Sequence, residues 1–231
     1  MRQLPLGLGP QEVPTFDNYA VGPNRAAVEH LCGLNGQHAP APVYLWGEPG
    51  TGKTHLLRAL AHEVASLGGR VGWFDHTGGP SEFDEGWRLV VFDSCERYGP
   101  ADQHRAFATF VQATTHGQLI AAAGRWPPVD LPLREDLRTR LGWGPVFQLL
   151  PLSEAECRAV LRQAADRRGV FLSDEVMSYL QTRFSRDLGS LMSMLDRLDR
   201  FALATQRAVT IPLLKQMLAE EGAPVAQGEF R

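Results

Sequence analysis

Lysine is nearly absent from this chain: of its 23 basic residues only Lys53 and Lys215 are lysines, and the other 21 are arginines. Basic excess is absent too, since 26 acidic residues outnumber the basic ones and leave a formal charge of -3. A dedicated basic nucleic-acid-binding domain is therefore disfavoured. Cysteine is scarce, with Cys32, Cys95 and Cys157 far apart and no metal-ligand spacing around them. That pattern fits a reduced, cytosolic protein rather than a disulfide scaffold or a zinc module. Long hydrophobic runs are missing as well; the apolar runs, such as Leu89 to Phe92, are strand-sized, and Met1 to Pro10 has no apolar core of signal-peptide length. No membrane span is expected.

What is present is a globular composition, 44% apolar over 231 residues, arranged in alternation. Val43 to Trp46 is a short apolar run closed by a Gly-rich loop, and Leu56, Leu57, Leu60, Val64 and Leu67 follow at helical spacing until Gly68 and Gly69. Further apolar runs at Val71 to Phe74, Leu89 to Phe92, Leu119 to Ala123 and Val146 to Leu149 are separated by helical or turn-rich segments. Strands alternating with helices predict an α/β parallel sheet covered on both faces. Beyond Pro151 the pattern is wholly helical. Ser153 with Glu156 forms a capping box, Ser173 and Thr210 are N-cap residues, and four helices result. The reading is a tail over 1–12, an α/β core over 13–150, a helical domain over 151–221 and a second tail over 222–231.

Gly47-Glu48-Pro49-Gly50-Thr51-Gly52-Lys53-Thr54 matches the phosphate-loop pattern and lies between a strand and a helix, where the chemistry requires it. Glycines let main-chain N–H groups turn toward phosphate oxygens, the helix N-terminus favours an anion, Lys53 adds a positive charge and Thr54 offers a hydroxyl to Mg²⁺. One of the two lysines thus stands where a phosphate binder needs one. Leu89 to Phe92 ends in Asp93, a second oxygen ligand for Mg²⁺ facing Thr54. The next residue is Ser94, which cannot act as a carboxylate base at neutral pH.

These motifs, with Thr15 to Gly22, His55-Leu56-Leu57 and above all Leu137-Arg138-Thr139-Arg140-Leu141-Gly142-Trp143-Gly144, resemble the AAA+ module of the DnaA family of replication initiators. The likeness runs from about Phe16 to Leu218, and within the family it is greatest to the short regulatory branch, Hda. The resemblance implies an AAA+ P-loop sheet core with a C-terminal all-helical lid, and ADP or ATP with Mg²⁺ held by Gly47, Gly50, Thr51, Gly52, Lys53, Thr54 and His55, with main chain near Val21. It implies that Arg140 enters a partner's nucleotide site as an arginine finger. The alternative from the residues alone is that Arg138 and Arg140 pair with Glu135 or Asp136 on a solvated helix.

Gln3, Leu4, Leu6 and Leu8 resemble the tail motif by which replication proteins dock on the sliding clamp, with apolar side chains entering a groove while the amide fixes register. The partners implied are the DnaA initiator and the clamp. No helix-turn-helix domain is expected after the last helix. Two departures from the family stand out. The strand ending Ala121-Ala122-Ala123-Gly124 lacks the polar side chain expected near a γ-phosphate, and the lid arginine expected on the phosphates falls on Gly189, with Arg186 one turn earlier as a substitute. The function implied is regulatory inactivation of DnaA with weak intrinsic turnover. The alternative is an autonomous, self-assembling ATPase resembling a helicase loader.

Overall fold

The computed structural model describes residues 13–34, 41–80, 82–184 and 187–220. They form two compact units, with the division at Pro151/Leu152. The first contains five parallel strands, β1 (Val43–Trp46), β2 (Arg70–Phe74), β3 (Trp87–Phe92), β4 (Leu119–Gly124) and β5 (Val146–Gln148), in the order β2-β3-β4-β1-β5. α1 (Arg25–Cys32) precedes β1, and α2 (Lys53–Ser66), α3 (Pro100–Thr115) and α4 (Glu135–Leu141) run between the strands.

Both sheet faces are buried, which explains why the central strands read as continuous apolar runs. Residues alternate between two cores. Val43, Leu45, Leu89, Val91, Leu119, Ala121 and Ala123 face the helix pair α1 and α2, meeting Leu31, Leu56, Leu57 and Leu60. Tyr44, Val90, Phe92, Ile120 and Ala122 face the other way, meeting Phe110 of α3 and Leu137 and Leu141 of α4. The element missing from the sequence reading is α1, which lies close to the Gly/Pro-rich opening. Its buried Ala27, Val28 and Leu31 are a two-turn version of a helical stripe.

β1 lies between β4 and β5, so the chain leaving β1 crosses back to β2 while β5 adds on the opposite side. The carboxyl end of β1 is thus a switch point, where open parallel sheets bind ligands. The register Trp46↔Gly124 on one side and Trp46↔Gln148 on the other brings the phosphate loop out between β4 and β5.

The second unit consists of α5 (Glu154–Arg167), α6 (Asp174–Arg183), α7 (Leu188–Thr205) and α8 (Ile211–Glu220) around Leu161, Met177, Leu180, Leu195, Leu198 and Leu214. The caps follow the sequence. Ser153 and Glu156 form a reciprocal capping box, Ser173 accepts from the Val176 N–H, and Thr210 Oγ1 accepts from the Leu213 N–H at 3.4 Å. Arg158 and Arg162 both pair with Asp174 and join α5 to the start of α6. No helix among the described residues is long and apolar enough to cross a membrane.

Candidate nucleotide site

The loop after β1 turns on glycines with positive φ: Gly47 at 150°, Gly50 at 83° and Gly52 at 87°. At Gly47 the constraint is also one of space, because a Cβ would lie 2.3 Å from the Leu149 carbonyl oxygen at the end of β5. The first turn of α2 leaves N–H groups without intrahelical partners, and the carbonyls of the loop are turned away toward protein donors. Lys53 Nζ donates to the Gly47 and Glu48 carbonyls at 2.7 and 2.9 Å, Thr51 Oγ1 donates to the Glu48 carbonyl, and Tyr19 Oη donates to the Thr51 carbonyl at 3.0 Å. An ammonium group has three protons, so Lys53 keeps one uncommitted while curled over the loop. Burial holds its pKa below the usual lysine value, against the opposing pull of Glu96, Asp93 and Glu48.

Asp93 is buried at the end of β3 and accepts from Thr54 Oγ1 at 2.8 Å and from the Ser94 N–H at 2.8 Å. Burial raises its pKa, with these two hydrogen bonds pulling the other way. A hydroxyl and a carboxylate in contact are hard oxygen donors of the kind Mg²⁺ takes alongside phosphate oxygens and water. Among the described residues no group of three His, Cys, Asp or Glu side chains could hold a metal ion alone. A cation here would therefore be one that arrives with phosphate, and Thr54 and Asp93 fit that requirement.

Ser94 adopts a left-handed backbone, φ 54°, and opens a single 3-10 turn over Cys95–Arg97 that carries Glu96. A carboxylate is therefore present two residues beyond the position where it was sought. Glu96 Oε2 accepts from the Arg125 N–H at 3.1 Å, and its charge acts on both Lys53 and Asp93. The space at the end of β4 is taken by a tyrosine: a Cβ on Gly124 would fall 2.2 Å from Tyr44 Oη, which donates to the Trp126 carbonyl at 2.9 Å.

A network that the sequence reading did not foresee ties the segment before α1 to the loop. Asn24, 4% exposed, donates to Tyr19 Oη and the Leu150 carbonyl and accepts from the Leu150 N–H. Tyr19 is in turn packed against His55, with ring centroids 5.5 Å apart. The His55 Nε2–H donates to the Thr15 carbonyl at 3.0 Å, so only the main chain of His55 is left to face phosphate. Burial lowers its pKa. The Val21 carbonyl accepts from the Asn24 N–H at 2.8 Å, leaving the half-buried Val21 at the rim of this network.

Arg140 lies in the last turn of α4. The pairing alternative does not hold for it. Asp136 pairs with Arg134 at 2.7 Å, and among the described residues Arg140 has no ion-pair partner. Its guanidinium instead lies between two rings, 5.2 Å from the Phe107 centroid and 4.7 Å from that of Trp143. Trp143 is itself 54% exposed. Arg134, Glu135, Asp136, Thr139, Arg140 and Trp143 line a shallow, open hollow of about 530 Å³. Gln3, Leu4, Leu6, Leu8 and Arg186 lie outside the described residues, and Gly189 occupies the first turn of α7.

Comparison with known proteins now decides the family. Residues 154–218 match the family model described as Hda, lid domain, and residues 11–71 match that of the bacterial DnaA ATPase domain. The chain belongs to the DnaA/Hda family of AAA+ proteins. It is thus a replication-initiation-related AAA+ protein. An uncharacterized protein of Haemophilus influenzae is 32% identical over 229 residues, covering 94% of this chain and 98% of that one. Domain III of the Thermotoga maritima replication initiation protein DnaA superposes with a TM-score of 0.75 at 21% identity, covering 92% of this chain and 98% of that one. AMPPCP-bound DnaA from Aquifex aeolicus gives 0.70 at 20% identity, covering 91% of this chain and 70% of that one. The last two likenesses support the AAA+ sheet and helical lid of this family.

Proposed function

We propose that this chain is a regulator in the manner of Hda: it holds ADP with Mg²⁺, docks on the DNA-loaded sliding clamp through Gln3, Leu4, Leu6 and Leu8, and stimulates hydrolysis of ATP held by DnaA. The observation that carries this reading is Arg140. It is a guanidinium with no carboxylate partner among the described residues, braced between aromatic faces at the end of a short helix and beside an open hollow. A positive charge presented in this way is suited to another molecule's phosphates, where an arginine supplied in trans is worth about 10³ to 10⁵ in rate. The phosphate loop of the chain then serves to hold a nucleotide of its own, with Gly47, Gly50, Thr51, Gly52, Lys53 and Thr54 around phosphate and Thr54 with Asp93 toward the cation.

The test is hydrolysis of DnaA-bound ATP on clamp-loaded DNA, comparing the full chain, Arg140→Ala and a version lacking residues 1–8. Both changes are expected to abolish stimulation, while Arg140→Ala keeps clamp binding. Undiminished stimulation by Arg140→Ala would remove the arginine-finger role, and undiminished stimulation by the truncation would remove the clamp.

A second reading, an autonomous ATPase, gains support from Glu96, a carboxylate two residues past Ser94 that is held beside the end of β4 by the Arg125 N–H. Steady-state turnover by the purified chain with ATP and Mg²⁺, in the absence of DnaA, separates the two. Robust turnover that Glu96→Gln removes would favour the enzyme.

A further inference from the structure

Arg125 is the first residue after β4, and its position follows from the sheet. Trp46 is in register with Gly124, so the two chains leave the sheet side by side, about 4.8 Å apart. One continues as Gly47-Glu48 into the phosphate loop and the other as Arg125. The Arg125 N–H is fixed by Glu96, while its guanidinium reaches across to the loop, with Nη2 3.3 Å from Glu48 Oε2. The same guanidinium lies over the Trp126 ring, its carbon 5.5 Å from the ring centroid. The charges of Arg125, Glu48 and Glu96 all act on Lys53, so all three converge on the phosphate cradle.

This arrangement leaves one carboxylate, Glu48, inside a loop built to receive anions. Unneutralised, it would oppose phosphate. The single contact at 3.3 Å between side chains 47% and 69% exposed is a weak hold for two long, hydrated groups. A terminal phosphate carries more charge and offers oxygens that a planar guanidinium can engage in pairs. It is a stronger partner than Glu48, and the base of the arginine is already anchored.

We propose that Arg125 reads the γ-phosphate: its guanidinium leaves Glu48 for the terminal phosphate of a nucleoside triphosphate and returns to Glu48 when a diphosphate is held. Gly124 has no side chain to do this and cannot gain one while Tyr44 fills the space. Discrimination between tri- and diphosphate thus moves one residue along the chain, from the strand end to a mobile cation latched by the loop itself. The inference rests on the nucleotide-binding reading above and adds the residue that distinguishes the two nucleotides.

The experiment is equilibrium binding of ADP and of AMPPCP, each with Mg²⁺, to the wild-type chain, Arg125→Ala, Glu48→Gln and the double variant. Arg125→Ala is expected to weaken AMPPCP at least tenfold, the range of a charge-assisted hydrogen bond, while ADP changes less than threefold. Glu48→Gln is expected to strengthen AMPPCP by freeing the arginine, and that gain should vanish in the double variant. Equal losses for both nucleotides in Arg125→Ala, or an unchanged ratio of the two affinities, would overturn the inference while leaving nucleotide binding in place. Failure of the wild-type chain to bind either nucleotide would overturn both. Glu48→Gln reads the same latch from its other side, so the test survives if Arg125→Ala folds poorly.

Discussion

The hydroxyl of Thr54 donates to the carboxylate of Asp93 at 2.8 Å, joining the first turn of α2 to the end of β3 across 39 residues of sequence. Both groups are suited to a cation that comes with phosphate, and until it comes they satisfy each other. Because burial raises the Asp93 pKa, protonation competes with Mg²⁺ above the ordinary aspartate value of about 3.9. The sign is fixed: Mg²⁺ needs the carboxylate, so Mg²⁺-dependent nucleotide affinity is expected to weaken as pH falls toward that raised value. Asp93→Asn should remove the pH dependence together with most of the Mg²⁺ requirement, while leaving the melting temperature of the apo chain level or higher. Calorimetric titrations across pH would show it.

His55 has its pKa shifted the opposite way. Its pKa is depressed by burial, so the neutral ring donating to Thr15 is the form the fold favours. Its contribution is fully present above the unfolded value of about 6.5 and is lost as pH falls through the lower folded value. Melting temperature should therefore decline on acidification through this window, and His55→Gln, which keeps a donor without the titration, should flatten the decline.

Asn24 makes three hydrogen bonds from a site 4% exposed, two of them to the main chain of Leu150. Asn24→Ala would remove both part-buried hydrogen bonds to the Leu150 main chain, at a cost of about 1 to 3 kcal/mol. Denaturant unfolding should show that loss. Since Tyr19 also loses a partner while it holds the Thr51 carbonyl, ADP affinity should fall as well.

Phe107 is a positioning residue for Arg140 in the proposed function. A cation–π contact contributes about 0.5 to 2 kcal/mol, so Phe107→Leu should lower stimulated hydrolysis of DnaA-bound ATP several-fold, with clamp binding unchanged. Arg140→Lys tests the same point differently: it keeps the charge and loses the flat group that fits between the rings, and should recover only a small part of the activity.

The contrast between Asp93 and Glu96 shows what the sequence made legible. Asp93 ends an apolar run in a chain that already carries a phosphate loop, and the two patterns together point to it as the partner of Thr54. Glu96 reaches the same locality only because Ser94 turns left-handed, and no pattern of side chains announces a backbone angle. In the same way the capping residues Ser153, Ser173 and Thr210 were readable because they act within a few positions of themselves. The bracket around Arg140 was not, because Phe107 comes from α3 and meets the arginine only after α3 and α4 pack on one sheet face. α1 is not legible in the sequence because it is barely two turns long and follows a glycine and a proline.

Tyr44, in register with Ala122, reaches diagonally from β1 to Gly124 at the end of β4, the phenol filling the space that a Cβ would need. The two positions are therefore sterically coupled. With a large hydroxyl-bearing ring at the first position, a side chain at the second cannot be accommodated by one substitution, because each single change either overfills the space or empties it. Relatives with a side chain at the position of Gly124 should carry a smaller residue at that of Tyr44, and transplanting either change alone should cost stability that the pair restores.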